Sequence, residues 1–264
     1  MRYFIHLGYD GKKYHGWQRQ LKDRSVQETI ETALSKMLHT KTVIFGCGRT
    51  DTGVHASQYI LHLNADEITD YDPVFRLNKM LPDDIAVFDV LPANYRWHAQ
   101  HDAIERTYDY FIHGYKDPFL AGRSSYYPLA DFDLDQMKKA AALVSQYDDF
   151  RAFCKQPALY EHTRCKVTSA KLLIDEKGDK LRLEIKANRF LRGMIRKIVA
   201  RLLEVGNGKV SLDQFEDSLK TGVDFEFKHS AYPDGLYLSK VIYPYLDLPA
   251  RTDFWMGRET WKEV

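Results

Sequence analysis

One short stretch of this 264-residue chain concentrates residue types that could do chemistry: Gly46-Cys47-Gly48-Arg49-Thr50-Asp51-Thr52-Gly53-Val54-His55-Ala56. Its glycines permit backbone angles and close approaches that other residues resist. A carboxylate with a cation nearby stays ionised at neutral pH, so Asp51 beside Arg49 could act as a nucleophile on a base or a sugar. Two other readings use the same residues. Asp51 could cap the turn through its own backbone. Asp51-Thr52-Gly53 also matches the D-T-G signature of aspartic proteases, a chemistry that needs two carboxylates sharing a proton. The chain holds one D-T-G, so the second carboxylate would have to come from another copy, and Arg49 replaces the apolar approach usual in such loops.

A second concentration is cationic. From Lys186 to Arg201 there are six basic residues and no acid. The spacing predicts a helix over Phe190–Val205, with Leu191, Ile195, Ile198 and Leu202 as its core stripe. Arg189, Arg192 and Arg196 then fall in a narrow sector away from that stripe. They would grip phosphates or form a solvated face.

The elements that must position these groups follow from periodicity. Tyr3–Tyr9 reads as an opening strand. Ser25-Val26-Gln27-Glu28 has the form of a capping box before a helix over Val26–Leu38. Lys41–Phe45 and Gln58–Leu63 read as strands flanking the glycine-rich loop. A short helix from Asp72-Pro73 to Leu81 follows, then strands over Asp84–Val90 and Asp102–His113. The latter puts Tyr108, Tyr110 and Ile112 on one face. A loop-like stretch leads to a helix over Leu134–Val144 and a hairpin of Cys165–Asp175 with Lys180–Ala187. After the basic helix come a short helix over Val210–Leu219 and a last strand over Leu236–Tyr243. Strands grouped in hairpins with few helices predict an α+β fold with mainly antiparallel sheets. The softest boundary, Asn94–Asp102, suggests an N-terminal half over 1–100 carrying the Asp loop and a C-terminal half over 101–264 carrying the tyrosine strand and basic helix.

With 38 basic and 37 acidic side chains, the net charge of +1 gives no global argument for nucleic acid, so the local cluster must carry it. Three cysteines at irregular spacing, without C-x-x-C or zinc-ligand spacing, suggest a reduced protein with unpaired thiols and no metal. No apolar run approaches the ~20 residues that span a bilayer, and the first residues do not read as a signal peptide. The expectation is cytoplasmic, with no membrane association.

Gly48-Arg49-Thr50-Asp51-x-Gly53-Val54-His55-Ala56 resembles the signature of tRNA pseudouridine synthases of the TruA family. Tyr9-Asp10-Gly11, Tyr14-x-Gly16-Trp17-Gln18-x-Gln20, Ser25-Val26-Gln27-Glu28, Leu81-Pro82-x-Asp84-Ile85-Ala86-Val87, His98-Ala99 and Arg106-x-Tyr108-x-Tyr110 resemble further family segments in order. So do Asp149-Phe150, Ala187-Asn188-x-Phe190-Leu191-x-x-Met194-Ile195-Arg196-x-Ile198-Val199 and Gly235-Leu236-Tyr237-Leu238-x-x-Val241-x-Tyr243-Pro244.

The resemblance implies the pseudouridine-synthase fold, with two α/β halves, mainly antiparallel sheets flanked by helices and a central active-site cleft. It implies a homodimer that isomerises uridine to pseudouridine in tRNA, in the anticodon arm at positions 38 to 40, without cofactor or metal. Asp51 matches the essential aspartate, Tyr108 the tyrosine that packs on the target base, and Arg196 the cation that pairs with the aspartate. Arg49 matches the arginine that helps displace the flipped nucleotide, and Arg189 and Arg192 are candidates for RNA contact. Thr52, Gln100 and Cys154 depart from the family's usual Ala, Arg and Arg. They leave open a paralogue acting on another RNA site. A non-catalytic RNA-binding protein on the same scaffold is the competing class.

Overall fold

The structure, a computed structural model, describes residues 1–66, 68, 72–223, 229–249 and 260–264. In chain order its regular elements are β1 (Arg2–Tyr9), α1 (Val26–Met37), β2 (Ile44–Gly46), β3 (His55–Asn64), α2 (Pro73–Met80), β4 (Ile85–Ala93), β5 (Glu105–His113), β6 (Ser125–Tyr126) and α3 (Leu134–Val144). They continue with β7 (Val167–Asp175), β8 (Lys180–Ala187), α4 (Met194–Gly206), α5 (Leu212–Thr221), β9 (Leu236–Ile242) and β10 (Trp261–Glu263). The chain divides into two compact units, Met1–Ile104 with Tyr237–Phe254 and Glu105–Leu236 with Trp255–Val264.

In the first unit the strands run β9-β3-β1-β4. β1 is paired antiparallel on both edges, with β3 (Ile5↔Leu61) and β4 (Ile5↔Val90). Such a central strand is covered on both faces, and seven consecutive residues from Tyr3 to Tyr9 are buried. β2 lies antiparallel on one end of β3 (Phe45↔His62), and β9 runs parallel to its other end (His55↔Tyr237). α1 starts where the capping motif places it, with the Ser25 side chain accepting the Glu28 N–H at 3.2 Å, and it buries Val26, Ile30, Ala33, Leu34 and Met37. That spacing is the apolar stripe of an amphipathic helix.

The second unit orders its strands β10-β7-β8-β5, with β6 parallel to the end of β5. β8 alternates cleanly, burying Leu181, Leu183, Ile185 and Ala187. The period of two puts all four on one face. α3 packs against β7, α4 and α5, and Met137, Ala140, Val144, Ile198, Leu202 and Phe215 are buried.

The basic helix differs from its expectation. α4 begins at Met194, not at Phe190, because Gly193, in the turn before it, sits in the left-handed region (φ 72°). A left-handed residue cannot continue a right-handed helix, and glycine adopts it at least cost. Arg189 and Arg192 therefore lie ahead of the helix. Lys197 and Arg201 are on it but buried: the Lys197 ammonium donates to the Ala152 carbonyl (3.2 Å), and Arg201 bonds Glu204 (2.7 Å). The six cations do not form one helix face. Two lesser differences concern the strand predicted over Lys41–Phe45, which covers Ile44–Gly46, and the loop after β5, which contributes β6.

Candidate active site

The loop between β2 and β3 is tied down by the chain that follows β1. Cys47 N–H donates to the Ile60 carbonyl (2.8 Å), and the Tyr59 hydroxyl donates to the Gly48 carbonyl (2.5 Å). Thr50 is held twice: its carbonyl accepts the Trp17 N–H (3.1 Å), and its hydroxyl meets that of Tyr9 (2.9 Å). Gly53 N–H donates to the Tyr14 carbonyl (3.2 Å), and Val54 N–H closes a turn on the Asp51 carbonyl (3.2 Å). Thr50 is buried. Of its neighbours, Arg49 is exposed and Asp51 half-buried.

This bracing needs close backbone approach. Gly16 has φ +87°, and a Cβ there would lie 2.5 Å from the Thr50 carbonyl oxygen. A Cβ on Gly46 would meet the Tyr59 hydroxyl at 2.0 Å and the Trp17 ring at 2.8 Å. Both contacts are far inside van der Waals range, so only glycine lets the aromatic shelf reach the loop. In that shelf Trp17 stacks on Tyr59 (centroids 4.1 Å, 27°), and Tyr9 lies 5.5 Å from Tyr59. Trp17 and Tyr59 are both buried. Trp17 is thus a core anchor that also positions the loop, a role its Tyr14-x-Gly16-Trp17 motif signals only through the resemblance.

The other candidates lie in the second unit. Tyr108, on β5, is 8% exposed. Its ring is edge-on to Phe190 (5.1 Å, 81°), and its backbone pairs with Ile185. Arg196 stands in the first turn of α4, half-buried. Its Nε donates to the Ala231 carbonyl (2.7 Å), and Ala231 N–H donates back to the Arg196 carbonyl (3.0 Å). That reciprocal pair fixes both the helix start and the guanidinium. No sequence signal singled out Ala231.

Arg189 and Arg192 converge on Tyr160. The Arg189 guanidinium lies 5.8 Å from the Tyr160 ring centroid, and the Tyr160 hydroxyl accepts the Arg192 N–H (3.1 Å). The exposed Arg192 side chain also donates to Gln156 Oε1 (2.8 Å). The structure thus groups Arg49 with Asp51, and Arg189 with Arg192. Cys154 and Cys165 are buried nearby, and burial pushes the Cys165 thiol up to about 11. Protonated, buried thiols are poor nucleophiles. Among the described residues, no three His, Cys, Asp or Glu side chains gather as a metal ion would require.

Comparison with known proteins places this geometry in a family context. A family profile described as tRNA pseudouridine synthase matches residues 147–244. The chain is 38% identical over 248 residues to tRNA pseudouridine synthase A of Porphyromonas gingivalis, covering 92% of this chain and 97% of that protein. It is 39% identical over 246 residues to the Bacteroides fragilis protein of the same name, covering 92% and 96%. The Gloeobacter violaceus protein of that name is 34% identical over 255 residues, covering 96% and 83%.

Proposed function

We propose that this chain, which belongs to the tRNA pseudouridine synthase A family, isomerises uridine to pseudouridine in tRNA. The observation that carries this reading is the Asp51 loop, whose backbone is fixed from Tyr14, Trp17 and Tyr59 while Asp51 itself stays half-buried. The relatives' name supplies the substrate class.

The reaction exchanges one bond for another. The C1′–N1 glycosidic bond breaks, the uracil turns without leaving, and C1′ bonds to C5. C5 then loses its proton, and N1 carries one in the product. Atoms and electrons balance within the nucleotide, so the step is an isomerisation. It asks for a nucleotide withdrawn from its stack into a closed pocket, a fixed anion, an aromatic wall and a cation to keep the anion charged.

Asp51 is assigned the reactive carboxylate and Tyr108 the wall against the base. Tyr108's burial and its edge contact with Phe190 support a ring of fixed orientation. Arg196 is assigned the cation, and its clasp with Ala231 supports a set guanidinium. Arg49 is exposed on the same loop as Asp51 and is assigned displacement of the target nucleotide. Arg189 and Arg192 are assigned phosphate contacts, which position RNA without reading its sequence. The reading extends to uridines 38 to 40 of the anticodon arm, to a homodimer and to the cytoplasm. Among the described residues no helix is long and apolar enough to cross a membrane.

Pseudouridine mapping of total RNA from cells with and without the gene tests this. The expected result is loss of pseudouridine from the tRNA anticodon arm. Loss at another RNA site would reassign the substrate, and no loss anywhere would leave the non-catalytic RNA-binding reading in its place.

A further inference from the structure

Tyr232 combines an exposed ring with a fixed backbone, and none of the roles above uses it. The residue is 60% exposed. Its N–H donates to the Tyr127 hydroxyl (3.2 Å), and its carbonyl lies 2.8 Å from the Tyr110 hydroxyl. A carbonyl only accepts, so Tyr110 spends its proton there and receives that of Ser125, whose Oγ is also 2.8 Å away. Burial pushes both Tyr110 and Tyr127 above the usual phenol range, so each stays neutral at any physiological pH.

The residues on either side are held as firmly. Ala231 exchanges two hydrogen bonds with Arg196. The turn Pro233–Gly235 presses on β5 so closely that a Cβ on Gly235 would lie 2.4 Å from the Phe111 carbonyl oxygen. The Tyr232 ring itself rests against Tyr127 (centroids 5.5 Å, 30°), which leaves the rest of the ring to solvent.

An exposed tyrosine ordinarily retains backbone and rotamer freedom that a ligand must quench on binding. Here the main chain is already fixed and one ring face supported, so stacking on the remaining surface costs little further ordering. Nucleobases are the ligands that such a surface suits in an RNA-acting protein, since every base has a π face.

We propose that Tyr232 is a nucleobase-stacking residue that receives an RNA base beside Arg196. The inference rests on the isomerase reading above and adds a substrate contact to it. Tyr232→Ala is a clean probe because alanine keeps the N–H and the carbonyl that tie the strap to Tyr127 and Tyr110. Steady-state kinetics on tRNA transcript should show KM raised about 5- to 150-fold, the range for losing one base–aromatic stack. The loss should fall on KM rather than kcat, and Tyr232→Phe should restore most of it. A Tyr232→Ala enzyme with wild-type KM overturns the proposal, as does a loss confined to kcat, which would mean that the ring acts through Arg196. Wild-type protein that makes no pseudouridine would instead defeat the isomerase reading itself. Direct binding of the transcript to Tyr232→Ala then decides the stacking contact separately: weakened affinity supports it, and unchanged affinity removes it.

Discussion

The Asp51 loop and the arginine segment before α4 both present charge, but they are fixed by different means. Around Asp51 the bonds run to main-chain groups and the Thr50 hydroxyl, from Trp17, Tyr14, Tyr59 and Tyr9. Arg192 also has its main chain tied, its N–H to the Tyr160 hydroxyl and its carbonyl to the Lys155 N–H, but here the charged groups themselves are held by side chains, the Arg189 guanidinium at the Tyr160 ring and that of Arg192 at Gln156. A position set by the backbone survives exchange of its own side chain, whereas one set by side-chain contacts is adjustable. That suits a reactive carboxylate, for which a misplacement of about 1 Å costs on the order of 100-fold, and it suits phosphate contacts that accommodate a flexible polyanion.

The largest effect that this contrast predicts is at Asp51. Asp51→Asn should lower turnover by at least about 1,000-fold, as for other removed nucleophiles, while thermal unfolding and tRNA affinity stay near wild type. A collapse in stability would mean that the side chain, not the backbone, holds the loop. Gly16→Ala comes next. Its new Cβ would press on the Thr50 carbonyl at a strained φ, so activity should fall about 10- to 100-fold. Stability should drop by about 1–3 kcal/mol, read by chemical denaturation. Full activity would show that the loop needs no such bracing.

Smaller effects belong to the cations. Arg189→Glu and Arg192→Glu should each weaken tRNA binding and flatten the slope of log K against log salt by about one unit. An unchanged slope would remove both from the RNA surface. The smallest concerns His62, on β3. Burial, reinforced by Arg2 and His98, lowers its pKa from 6.5 to about 4. Its Nδ1 accepts the Ala99 N–H at 3.1 Å. The unfolded chain takes up a proton near pH 6.5 and the native one does not until about 4, so stability falls as pH drops through that window. His62→Gln should flatten this acid dependence, measured as Tm against pH.

Local signals carried much of the fold. Ser25 starts α1, and the Leu134–Val144 periodicity matches α3. The sequence pattern failed where a distant contact decides. Periodicity from Leu191 onward runs straight through Gly193, and the left-handed backbone there, packed against the Lys155 side chain, separates Arg189 and Arg192 from α4. Charge alone did not distinguish a displayed lysine from Lys197, which is buried because carbonyls near Ala152, 45 residues earlier, receive it. Asp51, Tyr108 and Arg196 are nominated through motif resemblance. The strap that holds Arg196 is not, because Tyr232 meets Tyr127 and Tyr110 across 105 and 122 residues.

The central claim is that Asp51 is the reactive group of a uridine isomerase. Release of tritium from C5-labelled uridine in tRNA, under single turnover with wild type and Asp51→Asn, tests it most directly. The account predicts release by wild type and none above background from Asp51→Asn at equal RNA occupancy. Comparable release from the two proteins would contradict it.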